Sequence, residues 1–213
     1  EPRVSIRARV CADAIEVAGA DRVVTIDLHA PQIQGFFRIP VDDLYALPVL
    51  GKAIKAKKLQ NLVVVSPDTG FVKQARRYAT LLQCNLAIGD KERINHDENA
   101  EILQIIGDVK GKTAMIVDDF AISAGTLVEI ANTLIEKGAG SVYAAITHGV
   151  FAPGTKERID DSPITKLLVT DSIETQPTPM SDKVEIVSVA AYLGEAIRRI
   201  HNRESISVLF SNA

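Results

Sequence analysis

The chain has 213 residues, 46% of them apolar and 24% charged, with a formal net charge of −3. Such a length holds one large domain or two small ones, and the composition is that of an ordinary soluble globular protein. The acidic balance argues against general nucleic-acid binding, and no apolar run approaches the roughly 18 residues needed to span a bilayer. No basic, apolar leader opens the chain, so a cytoplasmic protein is expected. Cys11 and Cys84 are far apart and lack metal-like spacing, which predicts buried free thiols in a reducing compartment.

In chain order, residues 8–19 have the pattern of a helix ended by Gly19. Val23-Val24-Thr25-Ile26 reads as a strand, and Asp27 and His29 follow it. A carboxylate and an imidazole at the C-terminal end of a strand sit where ligands of open α/β sheets gather. A structural, hydrogen-bonded histidine is the plainer reading of His29. Residues 32–37, and then 39–43, read as loop or turn. Residues 44–57 look helical, with Pro48 denting the start. Residues 62–65 are the next strand, ending in Ser66-Pro67-Asp68-Thr69-Gly70, with a helix over 72–82 after it. Residues 84–88 form a short strand and run into Asp90 to Glu98. That highly charged run predicts an exposed, mobile loop, and for its composition alone a solvated connector is the ordinary reading. Residues 102–106 and 113–117 continue the sheet. Between them, GDVKGKT has three residues between glycines where a phosphate-binding P-loop needs four, and it leads into a strand, so a P-loop is rejected.

The stretch 112–138 organises the rest. An apolar run of the length of a buried parallel strand ends in Asp118 and Asp119. The small residues Ser123-Ala124-Gly125-Thr126 follow. Leu127, Ile130, Ala131, Leu134 and Ile135 then recur at helical spacing up to Gly138, a C-cap candidate. Backbone N–H groups at such a loop and helix start can cradle a phosphate, while the acids hold sugar hydroxyls or a hydrated Mg²⁺. On this stretch alone, an ordinary turn with exposed acids fits equally well. Strands at 141–147, 166–170 and 184–187, a short polar helix at 154–161 and an amphipathic helix at 190–201 complete the chain. The alternation predicts an α/β fold with a parallel sheet and right-handed crossovers.

Taken together, DLHAPQIQGFF (27–37), VVVSPDTG (63–70), DKER (90–93), VDDFAISAGTL (117–127) and AITHGVF (145–151) resemble the ribose-phosphate pyrophosphokinases, or phosphoribosyl pyrophosphate synthetases. The resemblance implies two domains of the phosphoribosyltransferase-like α/β fold. It divides the chain into residues 1–42, a remnant of an N-terminal domain too small for its own core, a complete C-terminal domain over 43–192, and a tail over 193–213 returning to the first. It implies transfer of the β,γ-diphosphate of ATP to the 1-hydroxyl of ribose 5-phosphate with Mg²⁺. A homo-oligomer is implied, the family's hexamers being built from dimers, as is little activity for this chain without upstream residues. Lys91 and Arg93 match the family's catalytic loop, and His29 and Asp68 its metal side. Asp118, Asp119, Ser123, Ala124, Gly125 and Thr126, with Asp68 and Gly70, match its substrate contacts. Ile122 stands where the family carries an acid, Phe71 where it carries a second glycine, and Pro31 where many members carry a serine. The competing expectations are a non-catalytic, synthetase-like regulatory subunit and a phosphoribosyltransferase. An intact Lys91/Arg93 pair and the DLHA segment weigh against both.

Overall fold

Strands form where the apolar runs fall, and helices fill the intervals. The computed structural model describes residues 6–93, 101–174 and 180–211, and only the backbone of 91–93, 101–103 and 211. Helix α1 (Arg7–Val17) precedes β1 (Val23–Ile26) and β2 (Val41–Leu44). Then come α2 (Leu47–Ala56), β3 (Leu62–Ser66), α3 (Val72–Leu82), β4 (Asn85–Arg93), β5 (Glu101–Ile106) and β6 (Thr113–Ala121). The chain closes with α4 (Gly125–Glu136), β7 (Ser141–Gly149), α5 (Thr155–Asp160), β8 (Ile164–Thr170), β9 (Val184–Val187), α6 (Ala190–His201) and a last turn, α7 (Val208–Ser211). Among the described residues, seven strands make one sheet in the order β5-β4-β3-β6-β7-β8-β9, and β1 and β2 pair separately.

The central strands are buried on both faces, which is why they read as continuous apolar runs. Val63, Val65, Ala114, Ile116, Val142, Ala144, Ile146, Leu167 and Val169 face α4 and α5. The alternate residues Val64, Met115, Val117, Ala145 and Leu168 face the opposite side, packed with α2, α3 and α6. Helix α4 buries Leu127, Ile130, Ala131 and Leu134, the i, i+3, i+4, i+7 stripe of an amphipathic helix. Leu127, Ile130 and Leu134 each stabilise the fold by about 1.5–3 kcal/mol on full burial. The helix stops at Gly138, whose φ of +87° is open to glycine, and the Ala139 N–H returns to the Leu134 carbonyl at 2.9 Å.

Several expectations are corrected. The sheet is mostly rather than wholly parallel, because β5 runs antiparallel to β4. The charged run begins as strand: β4 continues to Arg93, paired with β5 from Ile88↔Ile106 to Arg93↔Glu101. Backbone pairing outweighs the polarity of its side chains there; residues 94–100 lie outside the described residues. Residues 41–44 are strand β2, parallel to β1, so the helix expected from Leu44 starts at Leu47. Its two acids misled the reading: Asp42 pairs with Arg22 at 2.5 Å and Asp43 accepts the Leu28 N–H at 3.1 Å. Residues 31–36 form 3-10 turns rather than loop. Ile26, at the end of β1, is buried in the α2/α3 core, so residues 1–42 do not stand apart from it. Both cysteines are free, but Cys11 is exposed and Cys84 only half-buried. Among the described residues no helix is long and apolar enough to cross a membrane.

Candidate active site

Strands β3 and β6 are neighbours, yet α3 leaves β3 toward one face and α4 leaves β6 toward the other. The connections therefore diverge at this pair, opening the crevice at the strands' C-terminal ends where open α/β sheets bind ligands. Asp68 follows β3, and Asp118 and Asp119 lie near the end of β6. The loop after β3 is shaped by its own acid: Asp68 Oδ1 accepts the Phe71 N–H at 3.0 Å, and Ser66 Oγ donates to the Asp68 carbonyl at 2.7 Å.

His29 reaches the crevice from β1. Asp27 turns the chain there at φ 45°, and its carboxylate accepts the Thr147 hydroxyl at 2.7 Å and the Ala46 N–H at 3.1 Å. Burial pushes the Asp27 carboxyl up from its ordinary range, and those two hydrogen bonds pull it back in part. His148 Nε2 donates to the Ile26 and Asp27 carbonyls at 3.0 and 3.2 Å, fastening the end of β1 to β7. His29 consequently lies over β6, with its Nδ1 at 2.6 Å from Asp119 Oδ2 and its ring edge-on to Phe120 at 5.0 Å.

The acid pair is electrostatically loaded. Burial, and then the negative charge of Asp119, push the Asp118 carboxyl up to about 8, with Asp68 adding to the push. The Asp119 N–H donates to Asp118 Oδ1 at 2.9 Å and offsets part of this. Beyond the pair, Ala124 adopts the left-handed conformation (φ 57°, ψ 12°). The first α4 hydrogen bond joins the Val128 N–H to the Ala124 carbonyl at 3.0 Å. The N–H groups of Gly125, Thr126 and Leu127 thus precede the helical ladder, at the positive end of the helix dipole.

Two adjoining cavities result. One, of about 340 Å³, is lined by Asp118, Asp119, Ile122 and the Ser123–Thr126 loop. The other, of about 650 Å³, is lined on its far side by Gly70, Phe71, Lys73, Arg77 and Tyr45. His29, Asp68, Asp118 and Asp119 border both. Arg77 stacks over the Tyr45 ring at 4.3 Å. Every expected site residue except Lys91 and Arg93 is therefore in this crevice. β4 pairs with β3 only as far as Ser66↔Ile88, so Lys91 and Arg93 continue past the C-terminal end of β3, the end that carries Asp68. Their side chains lie outside the described residues.

Comparison with known proteins fits this layout. The model of the phosphoribosyl synthetase-associated domain matches residues 94–211. A ribose-phosphate pyrophosphokinase of Oceanobacillus iheyensis is 49% identical over 98% of this chain and 65% of its own length. One from Rhizobium meliloti is 47% identical over 98% of this chain and 68% of its own. The chain belongs to the ribose-phosphate pyrophosphokinase family. It spans about two thirds of the length of these relatives. The crystal structure of phosphoribosylpyrophosphate synthetase from Mycobacterium smegmatis superposes with a TM-score of 0.86 at 35% identity, over 94% of this chain and 65% of that one.

The supports of this crevice were not legible in the sequence. Asp27, Thr147 and His148 staple β1 to β7, and Thr155 and Arg158 hold the loop after Asp119 from outside. Lys73 and Arg77 were legible only as a cationic i, i+4 pair on α3, a pattern common on solvated helices.

Proposed function

We propose that the crevice transfers the diphosphate of ATP to the 1-hydroxyl of ribose 5-phosphate. The observation that carries this is the pairing of the two cavities. One joins an anion cradle to two carboxylates, as a sugar phosphate needs. The other meets it at Asp68, Asp118 and Asp119 and carries Lys73 and Arg77, as a polyphosphate needs. In the reaction the 1-hydroxyl oxygen bonds to the β-phosphorus of ATP and the bond from that phosphorus to the α,β-bridging oxygen breaks. AMP leaves with that oxygen, and the hydroxyl proton is released.

Ser123 to Thr126 hold the 5-phosphate, and Asp118 and Asp119 accept the ribose hydroxyls. Asp68 and Gly70 face the diphosphate being moved. Lys91 and Arg93, on the β4 arm, close over the phosphates, where diphosphoryl transfer needs positioning and charge neutralisation more than covalent help.

The donor set suits Mg²⁺. Asp68, Asp118 and Asp119 offer the oxygen ligands this ion takes, and a cation would offset the burial and the Asp119 repulsion that together push Asp118 up to about 8. Among the described residues no group of three or more acids, histidines or cysteines forms a ready-made metal cage. The ion would thus be held by Asp68 or the acid pair together with substrate oxygens and water, its usual manner of binding. Bound so, it neutralises polyphosphate charge. His29 serves the metal side through Asp119, whose orientation its Nδ1 hydrogen bond fixes.

Residues 1–42 and 193–213 belong, in this reading, with a second similar domain. In the structure the tail is seated on the 43–192 domain, where Tyr45 packs on Phe210 at 5.7 Å and Tyr192 donates to the Leu209 carbonyl at 3.0 Å. We further read the protein as a cytoplasmic homo-oligomer. Ile6, Val10 and Val17 are exposed near one line along α1, a face that association would cover. The test is AMP release from ATP with Mg²⁺ and ribose 5-phosphate, in the protein at the length of its curated relatives. AMP formed one-for-one with phosphoribosyl pyrophosphate supports the reading. Ribose 5-phosphate binding without AMP release assigns a regulatory, non-catalytic role instead.

A further inference from the structure

The loop proposed to grip the 5-phosphate is held from outside by a segment that makes no part of either cavity's acid cluster. The Ile122 carbonyl accepts the Ala152 N–H at 2.7 Å and the Thr155 hydroxyl at 3.3 Å. The next carbonyl, that of Ser123, accepts Nη1 of Arg158. A peptide unit is planar and trans, so its N–H points opposite to its C=O. With both carbonyls drawn toward residues 152–158, the N–H groups of Ser123 and Ala124 are turned away from that segment, onto the opposite side of the loop. Ala124, in the left-handed region, then bends the chain into α4. Successive N–H groups around a left-handed residue make the concavity that binds anions. An alanine is strained there, so the conformation competes with relaxed ones unless something fixes it.

The anchor is itself fixed. Phe151 and Ile159 are buried in the α4 core, and Thr155 is 1% exposed. Lys183 Nζ donates to the carbonyls of Ile159, Asp160 and Ser162 at 3.2, 2.8 and 2.7 Å, tying down the end of α5. Among the described residues Arg158 forms no salt bridge, and its guanidinium is held at the loop by the Ser123 carbonyl.

We propose that Arg158 is the positioning residue of the 5-phosphate loop, orienting its N–H groups through the Ser123 carbonyl and adding a cation to the anion's surroundings. This rests on the reading of Ser123 to Thr126 as a phosphate site. The experiment is calorimetric titration of the full chain with ribose 5-phosphate and with inorganic phosphate, beside thermal melts without ligand. Arg158→Ala is expected to weaken both ligands roughly 10- to 100-fold, as loss of a charged hydrogen bond does. Its ligand-free melt stays that of the wild type, which a merely structural role would not allow. Arg158→Gln keeps a donor but not the charge, and is expected to fall between the two. If Arg158→Ala does not fold, Arg158→Gln decides, with unchanged affinity overturning the inference. Wild type and Arg158→Ala binding equally would overturn it while leaving the phosphate reading intact. A wild type that binds neither ligand would overturn both.

Discussion

Replacing Asp118 by asparagine tests the electrostatics of the crevice directly. The Asp118 carboxyl is raised from 3.8 to about 8 by burial and by Asp119. Between these values the unfolded chain's carboxyl is ionised while the folded one keeps its proton, so folding takes up a proton. Stability then falls as pH rises through that window and levels off above about 8. A full proton difference costs about 1.4 kcal/mol per pH unit, which gives about 3 kcal/mol between pH ~6 and ~9. Asp118 lines an open cavity, so water screening reduces the expected loss to about 1–2 kcal/mol. Urea denaturation in EDTA at the two pH values measures it. Asp27 and Asp43 are raised by burial as well and tilt both proteins alike, so the difference between wild type and Asp118→Asn isolates Asp118. The variant should lose about 1–2 kcal/mol less than wild type on going to alkaline pH. Equal pH dependence in the two proteins would refute the reasoning.

Lys91→Ala and Arg93→Ala should each lower kcat by about two to four orders of magnitude with little change in KM, as when stabilisation of transition-state charge is removed. Steady-state kinetics showing a raised KM at normal kcat would place them in ground-state binding instead. Gly125→Val puts a branched side chain into the smaller cavity and should abolish the calorimetric signal of ribose 5-phosphate; unchanged binding would contradict the cradle. At Gly149 an added Cβ would meet Val169 Cγ2 at 2.7 Å and Phe151 Cζ at 2.9 Å. Gly149→Ala should therefore cost about 1–3 kcal/mol in a urea melt, by overpacking. Thr147→Val takes the hydroxyl donor from the buried Asp27 carboxylate and should cost about 1–3 kcal/mol, an amount that shrinks as falling pH protonates Asp27, whose carboxyl burial raises above its ordinary range.

Much of the fold was legible because burial writes itself into the sequence at fixed periods. α3, β9 and α6 begin and end where their apolar pattern does, and α4 stops at its glycine. β2 and the far half of β4 were not legible. Val41-Asp42-Asp43-Leu44 and Asp90 to Arg93 carry charged side chains, and their strand character comes from a partner strand rather than from their own composition. Asp68, Asp118 and Asp119 could be found because an acid where a buried apolar run breaks off has one place to go, the end of the sheet; that β6 runs on past both acids to Ala121 was not legible. That His29 would meet Asp119 could not be derived from spacing, since 90 residues separate them.

The division between legible and illegible residues follows from what each does. Residues that touch a ligand sit next to a pattern break, where an apolar run gives way to acids or small residues, and such breaks are visible along the chain. Residues that hold those groups in place act across it. Thr155 and Arg158 reach back more than 30 positions to Ile122 and Ser123, and Thr147 reaches 120 positions to Asp27. Their chemistry, a hydroxyl or guanidinium donating to a carbonyl or carboxylate, is common to countless surface residues and marks nothing locally. A phosphate cradle at residues 123–126 would need them, because small residues that let a backbone approach a phosphate also leave it free to relax. The price of a loop built from serine, alanine and glycine is that its shape must be imposed by neighbours, and here those neighbours are the β7–α5 connection and the first turns of α5.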